Sequence, residues 1–194
     1  MSKISPLAFI DPEAKIGENC EIGPFCFIDK NVEIGDNNVL MNSVSVLYGA
    51  RIGNGNVIFP GAVISAVPQD LKFRGEETTA EVGDNNKIRE NVTINRGTAA
   101  KGKTCVGSGN LLMESVHVAH DAFVGNDCII GNGTKLAGEI IIDDHAIISA
   151  NVLMHQFCRV GGYTMVGGGT RFSQDIPPYT ICAVSYTHLT LPTI

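Results

Sequence analysis

The sequence predicts an all-β fold, a parallel β-helix built from six-residue repeats. Three observations predict it: an apolar residue at every sixth position, a small residue two places before it, and Gly, Asn or Asp directly after it. Stepping by six from Ile4 gives 29 positions ending at Phe172, and only Asp70, Glu76 and Ala100 are not Ile, Leu, Val, Met or Phe. A helix would space apolar residues three and four apart, and a free strand would alternate every two. Six residues at about 3.3 Å each make a short strand plus a tight corner. Three such sides close a triangular coil of eighteen residues, so the frame holds about nine coils. Successive coils then pair in parallel, about 4.8 Å apart.

The second position of each face is mostly small: Ala8, Ala14, Cys20, Cys26, Val44, Ala50, Ala62, Ala122, Cys128, Thr134, Ala146, Val152 and Cys158. A narrow prism accepts one large and one small side chain per face. Gly follows the frame residue at Gly17, Gly35, Gly53, Gly83, Gly107, Gly125 and elsewhere, with runs such as Asp36-Asn37-Asn38 and Asp84-Asn85-Asn86. These residues tolerate the positive φ that sharp corners need.

This pattern accounts for the cysteines. Of six, four (Cys20, Cys26, Cys128 and Cys158) fall in the small inward position, and no pair is eighteen apart. They read as reduced thiols, as expected of a cytoplasmic protein. Cys105 and Cys182 fall outside that pattern. The net charge of -6 argues against nucleic acid or an anionic membrane as partner. No apolar run is long enough to span a bilayer, and the N-terminus lacks a signal-peptide core.

Breaks in the frame are where a site is expected, because a solenoid wall is uniform. Two inserted loops are predicted, at 65–81 and 97–105, each returning to the same frame. His120 is followed by Asp121, a pairing that fixes an imidazole tautomer and favours base chemistry. Eighteen residues on lies Gly138, and eighteen further Gln156 beside His155. A base, an exposed backbone N–H and polar groups on one flank suit acyl transfer to a hydroxyl. Metal binding is the competing use of the histidines. His117 and His120 are three apart, which on a flat strand points them to opposite faces, and no third His stacks with His120.

The segments PQDLKF (68–73), IRENVTINRGT (88–98), GNLLMESVHVAHD (109–121), LAGE (136–139), HQFCRVGGYTMVGGGT (155–170) and QDIPPY (174–179) carry a family resemblance. The chain resembles the UDP-N-acetylglucosamine O-acyltransferases, which catalyse the first step of lipid A biosynthesis. The resemblance implies left-handed coils, a homotrimer with sites between subunits, and a hydroxyacyl donor carried on the phosphopantetheine of acyl carrier protein, with no other cofactor and no metal. It implies His120 as general base, Asp121 orienting it, and Gly138 supplying the oxyanion-hole N–H. Gln69, Asp70, Lys72, His117, His155 and Gln156 match substrate-binding positions, and Gly168 matches the position that limits acyl-chain length. The related N-acyltransferases of a UDP-glucosamine amine and a non-catalytic scaffold are the alternatives.

Two features depart from the family pattern. Many members have His where this chain has Glu139, and a carboxylate there cannot donate to a phosphate. Residues 1–183 read as the β-helix, whereas 184–194 read as a non-repeat tail where the family continues into a C-terminal helical domain. A truncation with an unrelated tail, or a natural short variant, would give this ending.

Overall fold

The computed structural model describes residues 2–183; the tail at 184–194, with His188, lies outside the described residues. The chain forms short parallel strands, most of two residues, arranged in three sheets of ten, nine and eight strands. Strands join every third neighbour in order, so the path visits each sheet once per coil. This is a left-handed parallel β-helix.

The frame residues are the core. Ile28, Leu40, Ile58, Ile64, Ile88, Ile94, Leu112, Ile130, Leu136, Ile142 and Ile148 are all fully buried. They stack in register from coil to coil, as in Ile58 on Ile88 and Ile88 on Leu112. Burying each such side chain contributes about 1.5–3 kcal/mol. The first coils are more open, with Ile4 at 48% exposure.

The glycines after the frame residues have a different cause from the one predicted. Positive φ falls elsewhere, on Asn37, Asn85 and Asp127 and on Gly55 and Gly109. Gly35 and Gly53 lie outside that set and are required by the stacking distance. A Cβ on Gly35 would lie 2.8 Å from the Gly53 carbonyl oxygen, and one on Gly53 would lie 2.9 Å from that of Gly83.

The asparagine runs also divide their labour. Asn38, Asn56, Asn86 and Asn110 point inward and are buried. The Asn56 side-chain amide donates to Asn38 Oδ1 at 3.0 Å, and the Asn86 amide donates to Asn56 Oδ1 at 3.0 Å. Asn110 Oδ1 then accepts the Cys128 N–H at 2.7 Å. A second ladder runs outside the first, with Asp36, Asn54, Asp84, Ser108, Asn126 and Asp144 each accepting a backbone N–H from the previous coil. Buried amides are tolerated here because each finds a partner.

Both inserts are shorter than the predicted 65–81 and 97–105. Strands Val63–Ala66, Thr79–Val82 and Lys103–Val106 take up their ends, because neighbouring coils supply ladder partners there. Val63 pairs with Thr93 and Thr93 with His117, 30 and 24 positions apart instead of eighteen. The extra residues all leave from one corner, between the nine-strand and eight-strand sheets.

The frame also continues past Phe172 with a slip of two residues. Ile176 bridges Val160, and Cys182 pairs with Val166. Cys182 therefore takes an inward frame place, whereas Cys105 faces outward beside Phe123. All six cysteines are free thiols.

Candidate active site

The corner that carries both inserts also carries Asp121, Glu139 and Phe157 in successive coils, at φ of 60°, 59° and 66°. The residue before each is His120, Gly138 and Gln156. Backbone bonds lock the stack, with Glu139 N–H donating to the His120 carbonyl at 3.0 Å and Phe157 N–H to that of Gly138 at 3.3 Å.

His120 is buried, and its Nδ1 lies 2.8 Å from Asp121 Oδ2. Nε2 turns toward Gly138. A Cβ there would lie 2.8 Å from Nε2 and 3.1 Å from Gln156 Nε2, so the missing side chain makes the room between them. The Gly138 N–H has no acceptor among the described residues.

Asp121 is 1% exposed and fully bonded. Its Oδ1 accepts the Thr98 N–H at 2.9 Å, and its Oδ2 accepts the Thr98 hydroxyl at 2.6 Å. Burial pushes the carboxyl upward, but the Thr98 hydroxyl, His120 and the Thr98 amide outweigh it and hold Asp121 below the usual carboxylate range. An ionised Asp121 accepts from Nδ1–H, which leaves Nε2 as the acceptor nitrogen. Thr98 lies on the second insert and was not among the sequence candidates. Its only sequence signal was membership of the RGT segment.

His117 sits one strand earlier, facing outward between Thr93 and Lys135. Its Nδ1 lies 2.7 Å from the Thr93 hydroxyl. Burial, Lys135 and His120 together hold its imidazole below the usual range. The expected opposition of His117 and His120 does not occur. The strand ends at Val118, and the corner turns His120 to the same outer surface.

The other candidates are more spread. Gln69 and Lys72 are exposed on the first insert, where Asp70 Oδ1 accepts the Lys72 N–H at 2.9 Å. That insert is anchored by Arg96, whose guanidinium lies over Phe73 and Tyr48. His155 is exposed, with Nδ1 3.2 Å from the Gln156 carbonyl. Glu139 faces Lys101, whose Nζ also reaches the Asp121 carbonyl at 3.3 Å. Gly168 belongs to a different corner, two residues after Val166, and is not brought to His120 within one chain. Among the described residues, no cluster of three or more His, Cys, Asp or Glu could hold a metal ion.

No protein-family profile matches the chain. A curated acyl-[acyl-carrier-protein]–UDP-N-acetylglucosamine O-acyltransferase from Aliarcobacter butzleri is 45% identical over 182 residues, covering 93% of this chain and 70% of the relative. The chain belongs to the UDP-N-acetylglucosamine O-acyltransferase family. It is an acyltransferase. The family's solved structures superpose closely. The Bacteroides fragilis enzyme is 75% identical with a TM-score of 0.90, over 92% of this chain and 70% of that one. The Francisella novicida enzyme is 42% identical with a TM-score of 0.93, over 96% and 68%. The family also reaches Arabidopsis, at 32% identity and a TM-score of 0.80, over 93% and 70%.

Proposed function

We propose that the chain transfers a 3-hydroxyacyl group from acyl carrier protein to the 3-hydroxyl of UDP-N-acetylglucosamine, the first step of lipid A biosynthesis, as a cytoplasmic homotrimer. His120 Nε2 takes the sugar hydroxyl proton while that oxygen attacks the thioester carbonyl. The Gly138 N–H stabilises the oxyanion, the C–S bond breaks, and the phosphopantetheine thiol leaves with the proton carried by His120. The step uses the chain's own groups. The names of the relatives support the donor and acceptor.

One observation carries the reading: His120 Nε2 faces Gly138 while Nδ1 is held by a buried, ionised Asp121. A general base contributes about 10²–10⁴-fold. His120→Ala should lose turnover on that scale in a mass-spectrometric acyl-transfer assay with defined carrier-protein donors. Near wild-type turnover would remove the assignment. The same assay with the corresponding amino sugar separates O-transfer from N-transfer. Gly168→Met tests the acyl-chain position, with preference expected to move to shorter donors.

Self-association is supported by the outer face of the ten-strand sheet. Ile129, Ile147, Met165 and Ile181 form a continuous exposed apolar row in register. No helix among the described residues is long and apolar enough to cross a membrane.

A further inference from the structure

The second insert lengthens its coil by six residues, and the gain is concentrated at Thr98. The loop is closed by the Gly102 N–H donating to the Thr98 carbonyl at 2.7 Å, and the first insert braces it, the Thr78 hydroxyl donating to the Gly97 carbonyl at 2.6 Å. Gly97 must lack a side chain, since a Cβ there would lie 2.5 Å from Lys103 Cα. Thr98 is 7% exposed and aims both its donors at Asp121. Its hydroxyl oxygen accepts the Ala100 N–H at 3.2 Å, which leaves the single O–H free to point at Oδ2. Thr104 completes the cradle by accepting the Asp121 N–H at 2.8 Å. Asp121 itself sits at positive φ, so the cradle also fixes a backbone that other side chains would resist.

We propose that Thr98 is a positioning residue of the acyl transfer, holding the Asp121 carboxylate in the orientation that aims His120 Nε2 at Gly138. The inference rests on His120 being the base. A carboxylate buried beside one imidazole with no other donor can rotate, and burial then favours its protonated form. Protonated, it no longer fixes the Nδ1–H tautomer. Both Thr98 donors oppose this, and they are supplied by an insert rather than by the repeating wall.

Thr98→Val keeps the size and the amide donor but removes the hydroxyl. It should lower kcat roughly 10- to 100-fold, the scale of one hydrogen bond to a charged group. KM for the sugar nucleotide should stay within about twofold, because Thr98 is 7% exposed and acts through Asp121. Thr98→Ser should restore most of kcat. In an Asp121→Ala background, Thr98→Val should cost nothing further, since its target is gone. Full kcat in Thr98→Val, no rescue by Ser, or an equal loss in the Asp121→Ala background would each overturn the proposal. His120→Ala measured alongside separates the two levels. If it keeps turnover the base reading fails, whereas if it collapses while Thr98→Val is unimpaired only the positioning role fails.

Discussion

His120 and Gly138 sit so close that a single methyl on Gly138 would lie 2.7 Å from His120 Cε1 and 2.8 Å from Nε2. The glycine is not required for its φ, which lies outside the left-handed region. It is required because the imidazole and the Gln156 amide occupy the space above and below it.

Gly138→Ala should therefore displace the His120 ring rather than unfold the coil. A displacement of this size costs about 10²-fold in rate when it moves a reacting group. Steady-state kinetics should show kcat falling on that scale while the circular dichroism spectrum keeps its β-helix signature. Wild-type kcat in this variant would show that the ring has another place to stand.

The imidazole of His117 is held low by burial first, then by Lys135 and His120. A His whose folded value lies below its unfolded value of about 6.5 binds its proton first in the unfolded chain. The stability it protects is present above that value and is lost as pH falls toward the folded value. Asp121, also held low, acts in the same direction further into acid. The expected result is an NMR titration midpoint for His117 below 6.5, moving upward in Lys135→Ala. A midpoint at or above the ordinary value would contradict the environment described.

Asn56 tests the buried ladder. It donates to Asn38 and accepts both the backbone N–H and the side-chain amide of Asn86, at 2.9 and 3.0 Å. Asn56→Ala orphans the two Asn86 donors at about 1–3 kcal/mol each, whereas Asn38 Oδ1 keeps the Asn56 backbone N–H. A marked fall in the thermal midpoint is expected, with kcat at low temperature unchanged, because the ladder lies at a different corner from His120. A midpoint equal to wild type would mean that water or a shifted coil satisfies the orphans.

The period of six was legible because each frame residue obeys one rule, burial on a triangular core. The stack of His120, Gly138 and Gln156 was legible for the same reason, since eighteen residues return to the same corner. Asn38 and Asn86 were read with the corner residues although both stand two places before a frame residue, the inward position that Cys20 and Cys128 also take. An amide is at home there because Asn38 reaches the Gly35 carbonyl and Asn86 reaches Asn56 in the neighbouring coil. The slip to Ile176 and Cys182 was hidden because the two residues are lost between Phe172 and Ile176, where Asp175 accepts the Arg159 N–H, and the period of six then returns from Ile176 to Cys182. Thr98 was missed because its role depends on how an insert folds back, which no repeat encodes.

The apolar row on the ten-strand sheet gives the last prediction. Along the outer face of that sheet the residues change character. The first coils present Lys3 and Glu21, paired at 2.7 Å, whereas the later coils present Leu111, Ile129, Ile147, Met165 and Ile181 in register. Ile147 and Met165 are 40% and 45% exposed. A row of large apolar side chains on adjacent strands is a surface to be covered, and a second copy of the same chain offers the matching chemistry. Ile147→Glu should leave each coil intact, since surface substitutions stay within about 0.5 kcal/mol. In an assembled face the same carboxylate would be buried without a partner, at a cost of several kcal/mol. Light scattering after size exclusion should then give a trimer mass for the wild type and a monomer mass for Ile147→Glu. Glu21→Gln, on the charged end of the same face, should keep the trimer. An Ile147→Glu chain that retains the wild-type mass would place the subunit interface on another sheet.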